Sequence, residues 1–462
     1  MMRIWILVFG FCVAPVFAQL PAATQTAVDE TAAKILAQTG VPSASIIVVT
    51  GGKIAYVRAY GDARLDPKTP ARPEMRYKIA SNSKQIAATA ILLLAEQNKI
   101  SLDDPVARFL PQLTRAQEVT IRELLSHTSG YQDYYPLDYV APFMIAATTP
   151  QQILDMWAKK PLDFEPGAQW QYSNTNYVII GQIIEKITGQ PLIDFLRARI
   201  FEPLGMHTPI DVGREPWSDS DPGGYTTYAL GPARAVQPEG NGWMYAAGEL
   251  AMTASDLARW DISLMNGTVL KPASLHALTT EVGLKGGTGT GYALGLQVSK
   301  TDGHRRWGHS GGAAGFVSYN ATFPDDKISV TVLTNGEDGA ASRIEREIEH
   351  LMLAPVTDPE AALSLQHARQ IFIGLQKGEL EETLVSSDLK AYFTPQAIAD
   401  FSASLGPLGA PSGFSQTASE GRGGMTVRTF RIQTSSQSLN LSTYVTPDGK
   451  FAQFLISPAS KP

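Results

Sequence analysis

Ile79-Ala80-Ser81-Asn82-Ser83-Lys84 opens the stretch that decides the fold, and Gln85 to Glu96 completes it. The second part is nearly all apolar, through Ile86, Ala87, Ala88, Ile91, Leu92, Leu93 and Leu94. A helix apolar on every side is a buried one, so the pattern predicts a central helix with Ser81 capping its N-terminus. Residues three apart share a helix face, which sets the Lys84 ammonium beside the Ser81 hydroxyl. A serine needs an adjacent base or cation to become a nucleophile at neutral pH, and a helix N-terminus favours negative charge developing there. The four-residue pattern is weak alone, because Ser-x-x-Lys arises about once by chance in a chain of this length. Ser387-Asp388-Leu389-Lys390 matches it too, but Pro395 interrupts within two turns and no long buried helix follows. The bland alternative for Ser81 is an ordinary N-cap serine.

Tyr172-Ser173-Asn174 shifts that balance. It follows Pro166-Gly167 and precedes a helix expected to begin near Val178, which places it on a loop facing a cleft. A tyrosine titrates near 10, and nearby cations lower it. Beside Lys84, Tyr172 becomes a candidate to take the Ser81 proton and later deliver it to a leaving group. The Asn174 amide suits both Lys84 and a substrate carbonyl. The alternative is a buried, satisfied tyrosine and a turn asparagine. Trp307-Gly308-His309-Ser310-Gly311-Gly312 is the third element. It enters a terminal hairpin as an edge strand, where small residues let backbone approach a ligand. His309 is a candidate second cation or hydrogen-bond donor, against the alternative of a lone structural histidine.

The chain of 462 residues is 44% apolar and 18% charged, an ordinary balance that excludes wholesale disorder, collagen and coiled coil. A net charge of −6 argues against a nucleic-acid partner. Arg3, the apolar run Ile4 to Val16 and Val16-Phe17-Ala18 read as an export signal cleaved after Ala18, with an uncleaved anchor as the alternative. Cleavage removes Cys12, the only cysteine, so a disulfide framework and a multi-thiolate metal site are excluded.

Helices are expected over 23–38, 181–199 and 341–353. Gly51-Gly52 and Pro324-Asp325-Asp326-Lys327 mark two hairpins. Residues 211–242, rich in Gly, Pro, Asp and Ser, read as a long irregular loop. After Ala354-Pro355-Val356-Thr357-Asp358-Pro359, helices 361–377 and 395–405 precede three strands near 427–433, 438–445 and 450–456. The expected division is residues 1–18 signal, 19–355 main domain and 356–462 a small α+β accessory domain.

Taken together and in order, the three motifs resemble the serine β-lactamase and penicillin-recognising family, in its branch of class C β-lactamases, carboxypeptidases, D-aminopeptidases and esterases. Leu124-Leu125-Ser126-His127-Thr128-Ser129-Gly130, Phe201 to Met206, Ala247-Gly248, Asp256 to Trp260 and Gly291 to Gly295 fit the same framework, with His127 in a structural role. The resemblance implies an α/β fold of the β-lactamase/transpeptidase type: an antiparallel sheet flanked by helices, beside a helical region, with the site between. It implies Ser81 as nucleophile, Lys84 as activating cation and Tyr172 as general base and acid. Asn174, His309, Ser310, Gly311 and Gly312 would bind substrate, and the backbone N–H groups of Ser81 and Gly312 would form an oxyanion hole. No metal or cofactor is called for.

Dedicated β-lactamases of this branch carry Lys-Thr-Gly where this chain has His309-Ser310-Gly311. A histidine is mostly neutral at pH 7. The expectation is therefore an exported esterase or peptidase/amidase acting on a small molecule or peptide. A D-alanyl carboxypeptidase, a β-lactamase and a non-catalytic binding or sensor protein stand as alternatives. Neither a nucleic-acid partner nor a membrane span after signal cleavage is expected, and oligomeric state is left open.

Overall fold

The structure is a computed structural model, described over residues 19–354, 360–422 and 424–459. The signal read at 1–18 and most of the break at 354–359 lie outside the described residues. Eleven strands form the main sheet: β1 (Ser43–Thr50), β2 (Lys53–Leu65), β3 (Lys68–Pro70), β4 (Gln297–Thr301), β5 (His304–Ala313), β6 (Phe316–Phe323), β7 (Ile328–Thr334), β8 (Gly413–Arg422), β9 (Met425–Gln433), β10 (Ser438–Val445) and β11 (Phe451–Pro458). Their order across the sheet is β11-β10-β9-β8-β4-β5-β6-β7-β1-β2-β3, with every pair antiparallel.

β1 shows why this antiparallel sheet reads as continuous apolar runs. Ile46 and Val48 enter one core, with Val28, Ile35, Ile344 and Ile348 of the helices Ala22–Thr39 and Ala340–Met352. Ile47 and Val49 enter the other, with the central helix Ser83–Glu96 and the helical region. Both faces are covered, so the usual apolar/polar alternation is lost. The central helix is buried from Ser83 through Leu94.

The C-terminal part has its own core, in which Ile371, Phe372 and Leu375 of the helix Ala361–Lys377 meet Phe430, Leu441 and Phe454. Its strands nonetheless continue the main sheet. Glu420 pairs with Thr301, and the Asp302 N–H donates to the Ser419 carbonyl at 3.0 Å.

Three expectations need correction. The C-terminal part has four strands, not three: β8, Gly-Phe-Ser-Gln-Thr-Ala-Ser-Glu-Gly-Arg, is largely exposed and carries no apolar alternation to betray it. The helix expected over 181–199 starts at Asn174 and stops at Thr188, where Gly189 takes the left-handed conformation, and a second helix, Leu192–Leu196, follows. Ser81 is not the N-cap; it lies in a 3-10 turn, Ala80–Asn82, and the helix starts at Ser83 with no side-chain cap. Among the described residues no helix is long and apolar enough to cross a membrane.

Candidate active site

Ser81 sits on a turn fixed from three sides. Ala80 adopts φ +48°, a left-handed conformation that a residue with a Cβ holds only when its surroundings impose it. Below, a buried polar chain runs to the sheet. The Ser318 hydroxyl donates to the Ile79 carbonyl at 2.7 Å, Asn82 Nδ2 donates to Ser318 at 2.8 Å, and Gln85 Nε2 donates to Asn82 Oδ1 at 3.0 Å. It reaches Asn320, whose Nδ2 donates to Asp261 at 2.7 Å, and burial lifts the Asp261 carboxyl to about 7. Alongside runs β5. A Cβ on Gly311 would come within 2.2 Å of the Ile79 carbonyl oxygen and 3.0 Å of the Ser81 nitrogen, whereas a Cβ on Gly312 would meet nothing within 4 Å. Gly311→Ala is therefore expected to destabilise the fold by about 1–3 kcal/mol and to slow turnover by displacing Ser81. Denaturant melts and kcat measure both, with Gly312→Ala as the sterically open control for stability.

Lys84 lies one turn further on and is fully buried. Its Nζ is 2.9 Å from Ser81 Oγ and donates to Asn174 Oδ1 at 2.8 Å and to the Ala247 carbonyl at 2.6 Å. It also stands over the Tyr172 ring, 4.9 Å from the centroid. Burial pulls the amine down to about 7, with the Asp133 carboxylate opposing. Tyr172 behaves opposite to the sequence expectation. Burial raises its phenol above the usual value, although the Ser81 hydroxyl pulls it down, and the phenol oxygen is buried without a hydrogen-bond partner of good geometry. Proximity to the amine does not lower this phenol because both groups share one desolvated pocket.

Asn174 opens its helix and spends its amide on Lys84 and on Asp133, whose carboxylate accepts from the Asn174 backbone N–H at 2.9 Å and from Nδ2 at 3.3 Å. Ser81, Tyr172, Asn174 and Gly312 share the lining of one cleft of about 1270 Å³, together with Asp133. His309, Ser310 and Gly311 do not line it. His309 is 3% exposed; its Nδ1 meets the Ser310 carbonyl and its Nε2 is 2.8 Å from the Tyr292 hydroxyl. Burial and the neighbouring Lys84 charge drop it to about 3. The expected second cation is thus a neutral imidazole whose Nε2 accepts from Tyr292.

Asp133 carried no sequence signal, because it belongs to no motif. His127 did, inside Ser-His-Thr-Ser-Gly. Its carbonyl accepts from the Gln171 N–H at 3.0 Å and its Nδ1 from the Ser173 N–H at 3.1 Å, while its ring lies 4.2 Å from that of Tyr172. Burial holds it well below its usual value, so it stays neutral. His127 therefore positions the Tyr172 loop. His127→Ala is expected to lower kcat by about tenfold to a hundredfold with a smaller change in KM; a raised KM with kcat unchanged would assign His127 to substrate binding instead.

The chain has relatives of known kind. The family model described as Beta-lactamase matches residues 28–352. Penicillin-binding protein 4* of Bacillus subtilis (strain 168) is 31% identical over 338 residues, covering 68% of this chain and 74% of that protein. A D-aminopeptidase of Brucella anthropi is 28% identical over 305 residues, 65% of this chain and 57% of the relative. A solved D-stereospecific amidohydrolase from Streptomyces sp. superposes with a TM-score of 0.60 at 28% identity, over 73% of this chain and 99% of that one. The octameric penicillin-binding protein homologue from Pyrococcus abyssi superposes with a TM-score of 0.64 over 95% of this chain and 96% of that one; at 21% identity this is likeness of fold, and it extends through the C-terminal strands. The sheet between helical layers, the Ser81–Lys84 pair and these matches agree: the chain belongs to the β-lactamase family and is a hydrolase of its serine type.

Proposed function

We propose that this protein hydrolyses an ester or amide through an acyl-enzyme on Ser81. The observation that carries the reading is the Lys84 amine, buried, brought to about 7 and 2.9 Å from Ser81 Oγ. With the amine neutral, its two N–H groups go to Asn174 and Ala247, and its lone pair faces the serine hydroxyl. Lys84 then takes the Ser81 proton as Oγ bonds to the substrate carbonyl carbon. The backbone N–H groups of Ser81 and Gly312 hold the oxyanion. Tyr172, kept protonated by burial, donates its proton to the departing nitrogen or oxygen, and the Lys84 ammonium restores it. Water attacks the acyl-enzyme by the same steps in reverse, releasing the acid and freeing Ser81. In acylation the base role thus moves from Tyr172 to Lys84 and Tyr172 acts as the acid; in the reverse half Tyr172 passes its proton to Lys84 and takes one from the attacking water, and Lys84 returns a proton to Ser81 Oγ.

The cleft lining, among the described residues, contains no Lys, Arg or His. That supports an esterase or peptidase/amidase over a β-lactamase or D-alanyl carboxypeptidase, whose substrates carry a carboxylate. Export is part of the proposal, resting on the reading of residues 1–18, as is an accessory domain from residue 356, none of whose residues line the cleft. A substrate panel tests the reaction: short acyl esters, D- and L-amino-acid amides, D-Ala-D-Ala peptides and a chromogenic cephalosporin. Ester or amide turnover with little cephalosporin hydrolysis is expected. Efficient β-lactam turnover would overturn the preference, and slow, stable acylation by penicillin would restore the carboxypeptidase reading.

A further inference from the structure

The cleft above Ser81 is large for a short acyl group. Its volume of about 1270 Å³ exceeds the roughly 300–1,000 Å³ that holds a drug-sized ligand. Its rim is unusual as well. Thirteen large apolar or aromatic side chains are exposed among the described residues, and five of them line this one cleft: Leu137 (44% exposed), Tyr139 (62%), Ile145 (50%), Trp170 (39%) and Tyr228 (76%). Exposed apolar surface gathered at one place marks something that covers it, and here it borders the nucleophile.

The rim is held rather than loose. The segment carrying Leu137, Tyr139 and Ile145 is anchored at its two ends, at Tyr134 and at residues 144–148, to residues 240–243. Trp243 Nε1 donates to the Ala146 carbonyl at 2.8 Å, the Gly240 N–H to the Met144 carbonyl at 2.8 Å, and the Thr148 N–H to the Asn241 carbonyl at 2.9 Å. Tyr134 hydrogen-bonds to the Trp243 carbonyl. Gly240 and Gly242 permit this contact, since a Cβ on either would come within 2.6 Å and 2.1 Å of the facing backbone. Apolar groups on a tethered segment offer a preformed wall, which spares part of the ordering cost of binding. Among the described residues the charges in the lining are of one sign: Asp133, Asp138 and Glu337, with no cation.

We propose that these residues set substrate choice, and that the substrate presents to this rim a large apolar acyl group, aromatic or extended aliphatic, bearing no anion. The inference rests on the Ser81 acyl-enzyme reading and adds the class of acyl group to it. Each methylene laid on the rim leaves water, so kcat/KM should rise about fourfold per fully buried methylene until the cleft is filled.

The test measures kcat/KM on p-nitrophenyl esters from acetyl to octanoyl, on a phenylacetyl ester, and on an octanoyl-length ester ending in a carboxylate. The expected result is a steep rise with chain length, a rate on the phenylacetyl ester well above acetyl, and a rate at least tenfold lower for the carboxylate-ended ester. The octanoyl-to-acetyl ratio should fall toward one in the triple variant Leu137→Ser, Tyr139→Ser, Ile145→Ser, and partway in Tyr139→Ser alone, which guards against misfolding of the triple. A flat profile in the unaltered protein, or an unchanged ratio in both variants, would overturn the proposal, as would equal rates on the two octanoyl-length esters. Loss of the rise with Ser81-dependent ester turnover intact refutes only this inference. Absence of Ser81-dependent turnover on any ester or amide refutes the underlying reading.

Discussion

Ser81→Ala is expected to lower kcat/KM by at least about a thousandfold on every substrate the protein turns over, with little change in melting temperature. The size follows from chemistry: without Oγ no acyl-enzyme forms, and only the oxyanion donors and substrate positioning remain. The small stability effect follows from structure. The turn is held by Ala80, by the contact with Gly311 and by the Asn82–Ser318–Ile79 hydrogen bonds, none of which uses the Ser81 side chain. Steady-state rates, a burst experiment with an activated ester and intact mass after reaction check it. Unaltered turnover, or an acyl adduct persisting in the variant, would sink the assignment.

Lys84→Met should be nearly as damaging, about a thousandfold in kcat, and Lys84→Arg should not rescue it. Arginine keeps the positive charge but does not give up its proton in a protein, so its failure separates a base from a cation. The pH profile carries the same distinction. Because burial brings the Lys84 amine to about 7, kcat/KM should rise through pH 7 and level off above it. If Tyr172 were the base, its upward-shifted phenol would place that rise far above neutrality. His127 and His309 are both shifted downward and contribute no step there. Asp261, lifted to about 7 and linked to the Ser81 turn through Asn320, Gln85 and Asn82, is the competing group. Asp261→Asn should leave the rise in place; its disappearance in that variant would assign it to the network instead.

Linkage gives a second reading of the same amine. Its pKa is lower in the folded protein than in the unfolded chain, where it lies near 10.4. Between these values the unfolded state binds more protons, so this group adds stability as pH rises from about 7 toward 10. That increment should be missing from the Lys84→Met variant when urea melts of the two proteins are compared across the range.

The sequence by itself determined which residues meet. Ser81 and Lys84 are one helical turn apart, and a fully apolar helix behind them has one place to go, the centre of the molecule. The resemblance carried by the Tyr-Ser-Asn and His-Ser-Gly-Gly motifs set them against that helix, and the hairpins at Gly51-Gly52 and Pro324 to Lys327 are written in turn chemistry. Spacing carries such information because it acts over a few residues. Tertiary structure decided what those groups are once assembled. A protonation state depends on the water lost when elements pack together, so burial lowers the Lys84 amine, raises the Tyr172 phenol and leaves His309 a neutral buried acceptor; the base role of Lys84 and the acid role of Tyr172 are proposed from those shifts. Asp133, the turn holding Ser81 outside its helix, the polar strand Gly413–Arg422 and the apolar rim lie beyond local pattern for the same reason. Each is set by what a distant part of the chain places against it.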